Sequence, residues 1–317
     1  MRRALAIVLS VPLLAWAQAY PAKPIHLIVP FPPGGPTDIV GRLVAQKISQ
    51  ALGQPVVVEN RPGAGGTVGS TAAAKSPADG YTLLYGSTST LAIAPGLYPK
   101  LQYDPKASFA PVSLVSRGPI LIAVNAELPA KTLKEFIALA KAKPGKINYG
   151  SAGSGTPPHL AAELFKSVAG VDLVHVPYKG GAPAISDLVG GQVQAIFEGQ
   201  VVLLPHIKSG KVRALAITGQ KRDPSLPDVP TSAEAGLPGY DANFWSGLVA
   251  PAGTPSQAID VLNGALVKAL ATQEVRDALA RQGLEAFGTT PQEFAKFIGA
   301  EIEKWGRVVK TSGAKVD

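Results

Sequence analysis

The eight residues FPPGGPTD (31–38) stand between an apolar run, IHLIVP (25–30), and an amphipathic one, IVGRLV (39–44). The first run predicts a buried strand over 24–31. The second continues into a helix over 36–52, with Ile39, Val40, Leu43, Val44, Ile48 and Leu52 at helical spacing and Gly53 as its stop. In an open α/β sheet, ligands sit beyond the carboxyl ends of the strands, where the following helices begin. A helix start exposes unpaired N–H groups and the positive end of the peptide dipoles, so it favours an anion. Gly34 and Gly35 carry no side chain to block approach, and Pro36 suits the first helical position, where no N–H is missed. Asp38, near the third helical position, either caps its own helix, or repels a second negative charge or holds a ligand amine.

The same logic returns at GSAGSGTPPH (150–159), which adds hydroxyls at Ser151, Ser154 and Thr156 and places His159 one turn into the next helix. Two such turns suggest a pair of jaws for an acid group. A third, RPGAGGTVG (61–69), either lines the same side or lets a small-residue helix pack tightly. Micromolar binding needs about −8 kcal/mol. Charge-assisted hydrogen bonds contribute roughly 1.5–3 kcal/mol each, so three or four donors suffice without an arginine clamp.

Strands are expected over 56–59, 81–85, 120–124, 146–149, 173–178, 193–197 and 214–218. Helices are expected over 66–75, 157–168, 182–189 and 203–209. Thr132 with Glu135, and Thr290 with Glu293, are capping boxes that open two more helices, and Thr254-Pro255 opens another. The proline-rich stretch 221–239 reads as a long turn leading back towards the first domain. Alternation of strands and helices predicts an α/β fold of mostly parallel sheets covered on both faces. Chain crossings near 120 and 240 would leave a ligand cleft between domain 1 (20–121 plus 241–317) and an inserted domain 2 (122–240).

The chain opens with a basic pair, Arg2-Arg3, an apolar stretch from Ala4 to Ala15 too short to span a bilayer, and a small-x-small site ending at Ala19. Residues 1–19 are therefore expected to be a signal peptide, cleaved near Ala19, and the mature protein to be soluble outside the cytoplasm. Loss of Arg2 and Arg3 takes the formal charge from +8 to +6, which steers anionic ligands inward. No basic run interleaved with aromatics signals nucleic acid. Without cysteine, disulfides, thiolate metal sites and thiol catalysis are excluded.

G-x-G-x-x-G fails because Val68 occupies the third glycine position, and there is no P-loop and no G-x-S-x-G at Ser151 or Ser154. His26, His159, His175 and His206 have no i, i+4 partner and read as structural, with His159 the one candidate for ligand contact. Nothing in the sequence asks for catalysis, a metal or a cofactor.

The ordered stretches VPFPPGGPTDIVGRLVAQKI, VENRPGAGGTVGS, SPADGYTLL, NYGSAGSGTPPHLAAELFK, VHVPYKGGAPAISDLVGGQVQ and LPDVPTSAEAGLPGY resemble the Bug (TctC) family of periplasmic solute-binding receptors of tripartite tricarboxylate transporters. The resemblance runs from near Tyr20 to the C-terminus. It implies a type II periplasmic-binding-protein fold, two α/β domains that close on a small organic carboxylate, and membrane transporter subunits as transient partners of a monomer. The first-jaw role then falls on Phe31, Gly34, Gly35, Pro36, Thr37 and Asp38, and the second on Ser151, Ala152, Gly155, Thr156 and His159. Ser87, Thr88 and Ser89 supply hydroxyls. Two departures bear on ligand choice. Ala94 stands where the family often has Asn, and Glu198 where many members have Asp. Glu198 either faces a ligand amine or hydroxyl or is a surface residue at a strand end. A sensor module presenting its ligand to a signalling partner is the alternative reading.

Overall fold

A computed structural model describes residues 20–315; the signal peptide expected over 1–19 lies outside them. The first lobe opens with β1 (Ile25–Val29), α1 (Pro36–Leu52), β2 (Val56–Asn60), α2 (Thr67–Ala74) and β3 (Thr82–Ser87). A π-helical turn (Ser89–Ile93) then runs into the short α3 (Ala94–Leu97). The long β4 (Phe109–Asn125) leads into α4 (Leu133–Ala142), β5 (Asn148–Ser151), α5 (Pro157–Ala169), β6 (Val174–Pro177), α6 (Gly181–Val189), β7 (Ala195–Gly199), α7 (Gln200–Lys208) and β8 (Val212–Ile217). After an irregular stretch the chain returns through β9 (Asn243–Pro251), α8 (Ser256–Leu270), α9 (Gln273–Ala280), β10 (Glu285–Ala286) and α10 (Pro291–Ser312).

The helices form for local reasons visible in the sequence. Helix α1 starts on Gly35 with Pro36 at its first position and stops at Gly53, whose left-handed conformation (φ 66°) lets its N–H reach the Ser49 carbonyl. Val40, Val44, Ala45 and Ile48 form its buried stripe. Both predicted capping boxes sit at helix starts: Thr132 accepts from the Glu135 amide, and at Thr290 and Glu293 the exchange is reciprocal.

The strand order is β2-β1-β3-β9-β4-β7-β5-β6, with β8 and β10 also pairing β4. β1 is parallel to β2 and β3, and β5 is parallel to β6 and β7, as helical crossovers require. The expectation of mostly parallel sheets is corrected at the centre. There β9 runs antiparallel to β3 and β4, and β4 antiparallel to β7 and β8. Two strands that carry the chain out to the second lobe and back must run in opposite directions. β4 also begins well before the strand expected at 120–124. Its residues from Phe109 to Pro119 pair with β9, and those from Ile120 to Asn125 pair with β7 and β8. One strand thus serves both lobes. Pro119, with no N–H to give, marks the change of partner.

Helix α10 covers the crossing strands. It buries Phe294, Ile298, Trp305, Val308 and Val309, and its Glu301 carboxylate accepts hydrogen bonds from the indole N–H groups of Trp245 on β9 (2.7 Å) and of Trp305 (2.9 Å). Phe294 lies so close to β9 that a Cβ on Gly247 would come within 2.1 Å of its ring. Gly247→Ala is therefore expected to destabilise the protein by about 1–3 kcal/mol through overpacking, read as a lower urea midpoint with an unchanged m-value.

Candidate functional site

The first jaw joins β1 to α1. Gly34 takes a positive φ of 81°, and Gly35 is the N-cap in extended conformation. Asp38, buried at the third helical position, turns back on the loop. Its Oδ2 accepts from the Gly34 N–H (2.9 Å) and from Arg42 Nε (2.9 Å), and its Oδ1 from Asn60 Nδ2 (2.8 Å). Burial alone would push this carboxyl up, but the hydrogen bonds from Arg42, Gly34 and Asn60 outweigh it and hold it at about 2. Asp38 thus reaches back over the start of its own helix, to the loop amide of Gly34 and not to a helix amide. The amides of Thr37 and Asp38 find no acceptor among the described residues. The space over the loop is clear: a Cβ on Gly34 would meet nothing within 4 Å, and one on Gly35 only the Pro32 carbonyl oxygen at 3.7 Å.

The second jaw joins β5 to α5 and repeats the device. Gly155 has a φ of 74°, Thr156 is the N-cap, and His159 at the third helical position accepts the Gly155 N–H on Nδ1 at 2.9 Å. His159 thus stands to Gly155 as Asp38 stands to Gly34, four residues on. The two jaws are not equal donors. Pro157 and Pro158 remove the first two helical amides of α5, so the His159 amide and nearby hydroxyls are what remain. Thr156 Oγ1 donates to the Gly153 carbonyl (2.6 Å), and Ser151 Oγ lies 2.6 Å from His175 Nε2 while accepting the Gly153 N–H (3.1 Å). His159 and His175 stack with ring centres 3.9 Å apart, and His175 also stacks on Tyr149.

Between the jaws runs the segment from Ser87 to Leu97. The Phe31 ring and the Thr90 methyl close around Gly66, at the first jaw, and Leu97 presses on Gly155 at the second, within 2.5 Å of where its Cβ would lie. Thr88 gives its hydroxyl to β9, accepting the Trp245 N–H at 2.9 Å. Ser89 is half-buried, and the Ser87 hydroxyl is buried with no partner among the described residues. π-helical turns concentrate at functional sites, and this one directly follows the orphaned hydroxyl. In the third glycine turn, tight packing explains Gly69, whose Cβ would strike the Arg61 carbonyl oxygen at 2.6 Å and Pro30 at 2.9 Å. Gly66 at the same time lines the first jaw beside Phe31.

Residues 40–314 match the family model described as the tripartite tricarboxylate transporter family receptor, TctC. The chain belongs to this receptor family. It is 44% identical over 301 residues to Protein BugT of Bordetella pertussis, covering 95% of this chain and 92% of that protein. The structure of Rpa4515 of R. palustris with adipate is 37% identical (TM-score 0.79, 93% of this chain and 99% of that one). That of MatC from Rhodopseudomonas palustris with bound malate is 38% identical (TM-score 0.76, 92% and 100%). The receptor accordingly has the two-domain fold of periplasmic solute-binding proteins. No helix among the described residues is long and apolar enough to cross a membrane.

Two further side chains of the receptor bear on the expected ligand choice. Ala94 is buried at the start of α3. Glu198 lies one residue before the end of β7, half-buried, and among the described residues accepts only the N–H of its own neighbour Gly199 (2.9 Å). Burial pushes its carboxyl up to about 7, against the smaller opposing effect of that hydrogen bond. The residue missed as a site component is His175. Its place beside Ser151 follows from the β5–β6 register, which sets Tyr149 opposite His175, and no spacing within the sequence encodes that register.

Burial drives both jaw histidines down to about 4, with Lys166 opposing protonation of each and His159 opposing that of His175. Unfolded histidine titrates near 6.5, so the unfolded chain binds protons that the folded receptor refuses. The stability contributed by the neutral pair is complete above that value and is lost as pH falls towards 4. The raised Glu198 carboxyl gains stability over the same fall and opposes the histidines, so their contribution is read as a difference between variants: from pH 6.5 to 4.5, His175→Asn is expected to lose about 1–2 kcal/mol less stability than the wild type, by urea midpoint, after allowance for partial exposure. Asp38 titrates below this window.

Proposed function

We propose that the receptor captures a small organic carboxylate between its two lobes and delivers it to the membrane subunits of a tripartite tricarboxylate-type transporter. The observation that carries this reading is the duplicated helix start. In each jaw a positive-φ glycine is held by the side chain four residues on, which frees later amides of the same helix for a guest. The clear space over Gly34 and Gly35, and the orphaned Ser87 hydroxyl on the segment between the jaws, support an anion at that place. The adipate and malate bound by two relatives support a carboxylate. The change of partner at Pro119–Ile120 on β4 and the return before β9 are the two crossings about which the lobes would close. Membership in a transporter receptor family supports the membrane subunits as partners.

Gly35→Val tests the anchor without loading the fold, because Gly35 has an ordinary negative φ and open space in front of it. The variant is expected to keep its urea midpoint within about 1 kcal/mol in stability and to lose carboxylate affinity at least tenfold by calorimetry. Equal affinity in variant and wild type would remove the first jaw as the anchor.

A further inference from the structure

Glu198 is a carboxyl that the fold places beside the second jaw with no cation partner among the described residues. The parallel register of β5 and β7 (Gly150 with Ile196) brings Glu198 to the same sheet edge as Ser151 and Ala152. The Ala152 carbonyl accepts the N–H of Gly180 (3.2 Å), which caps α6, and the next residue, Gly181, would carry its Cβ 3.7 Å from Glu198 Oε2. The second jaw, the start of α6 and the Glu198 carboxyl are therefore contiguous. The two glycines leave open the room that side chains would take.

Among the described residues no cation on the elements around Glu198 forms an ion pair with it, and the carboxylate of Asp223 accepts from Gln200 at the start of α7 (2.8 Å). On α6, Asp187 accepts from the Tyr178 hydroxyl. On β4, Arg117 faces Asp241, which also meets Lys304 of α10. On α7, His206 and Lys208 lie in the last turn, and β9 carries no charged side chain. Lys179, just before α6, is exposed. None of them pairs with Glu198 among the described residues. A half-buried carboxylate with a single backbone donor is costly to keep charged, and a carboxyl kept neutral can donate a hydrogen bond.

We propose that Glu198 acts as a protonated acid that donates to the far carboxylate of a dicarboxylate whose near carboxylate lies between the jaws, so that capture takes up a proton. This rests on the carboxylate reading above and narrows it to diacids. It reverses the expectation of an amine at this position, because the carboxyl's surroundings favour its neutral form. Raised to about 7 by burial, Glu198 is largely protonated just below neutrality and largely charged above it. The histidines of the second jaw, held near 4, stay neutral over the same range and contribute nothing to the effect.

The test is calorimetry on the mature chain with succinate, glutarate and adipate, set against butyrate, pentanoate, hexanoate and the amino diacids aspartate and glutamate, from pH 6.5 to 8.5. At least one plain diacid is expected to bind best and to lose affinity about 20-fold over that rise in pH. The monoacids should change less than about 2-fold, and in Glu198→Gln, an uncharged donor at every pH, the diacid affinity should be flat. Diacid binding that ignores pH or tightens as pH rises, or a preference for monoacids or amino diacids, overturns the assignment of Glu198 and leaves carboxylate capture standing. Failure of every acid in the panel to bind a folded receptor overturns carboxylate capture itself.

Discussion

The pairing of β4 with β9 is the constraint on which the rest of the molecule depends. Over Phe109–Pro119 and Asn243–Pro251 the two strands run antiparallel through the middle of the sheet. At Ile120 β4 leaves this partner for β7 and β8. Each lobe therefore has a wall made from a strand that the other lobe also uses. Helix α10 fastens the arrangement from outside through Glu301, a buried carboxylate that takes two indole N–H groups and lies 2.5 Å from Lys304 Nζ. A buried charge so fully hydrogen-bonded specifies one packing, since removing any partner would leave it stranded.

On this frame the two jaws solve one problem with different chemistry. A glycine in the left-handed region exposes its N–H just before a helix, and a side chain four residues on accepts it. Asp38 does this as an anion balanced by Arg42, and His159 as a neutral imidazole stacked on His175. Accepting the Gly155 N–H on Nδ1 puts the proton of neutral His159 on Nε2. The second jaw therefore depends on a base staying uncharged, and the first on an acid staying charged.

The elements set by local chemistry were legible. Helix α1, the helix starts at Thr132 and Thr290, the apolar stripes of α8 and α10 and the two glycine turns follow from neighbours within a few residues, and the family followed from ordered motifs. Two strands were not legible in full. Of β4 only the apolar run at its end, Ile120–Val124, was legible, because its earlier residues include Pro111, Gly118 and Pro119 and hold their strand only by pairing with β9. β9 is bounded by residues that read as a continuing loop, and its pairing with β3 and β4 spans more than a hundred residues of chain. The engagement of Thr88 with Trp245 and of Ser151 with His175 was hidden for the same reason.

The sequence by itself determined where strands turn into helices, which turns can face an anion, and to which family the chain belongs, since each of these depends on residue types at fixed short spacing. Tertiary structure alone decided that Asn60 anchors Asp38, that His159 stacks on His175 and is kept neutral by burial, and that Glu198 lies beside the second jaw with no cation paired to it among the described residues. Those outcomes depend on register and burial, which bring together groups far apart in the chain and set how much it costs to keep them charged.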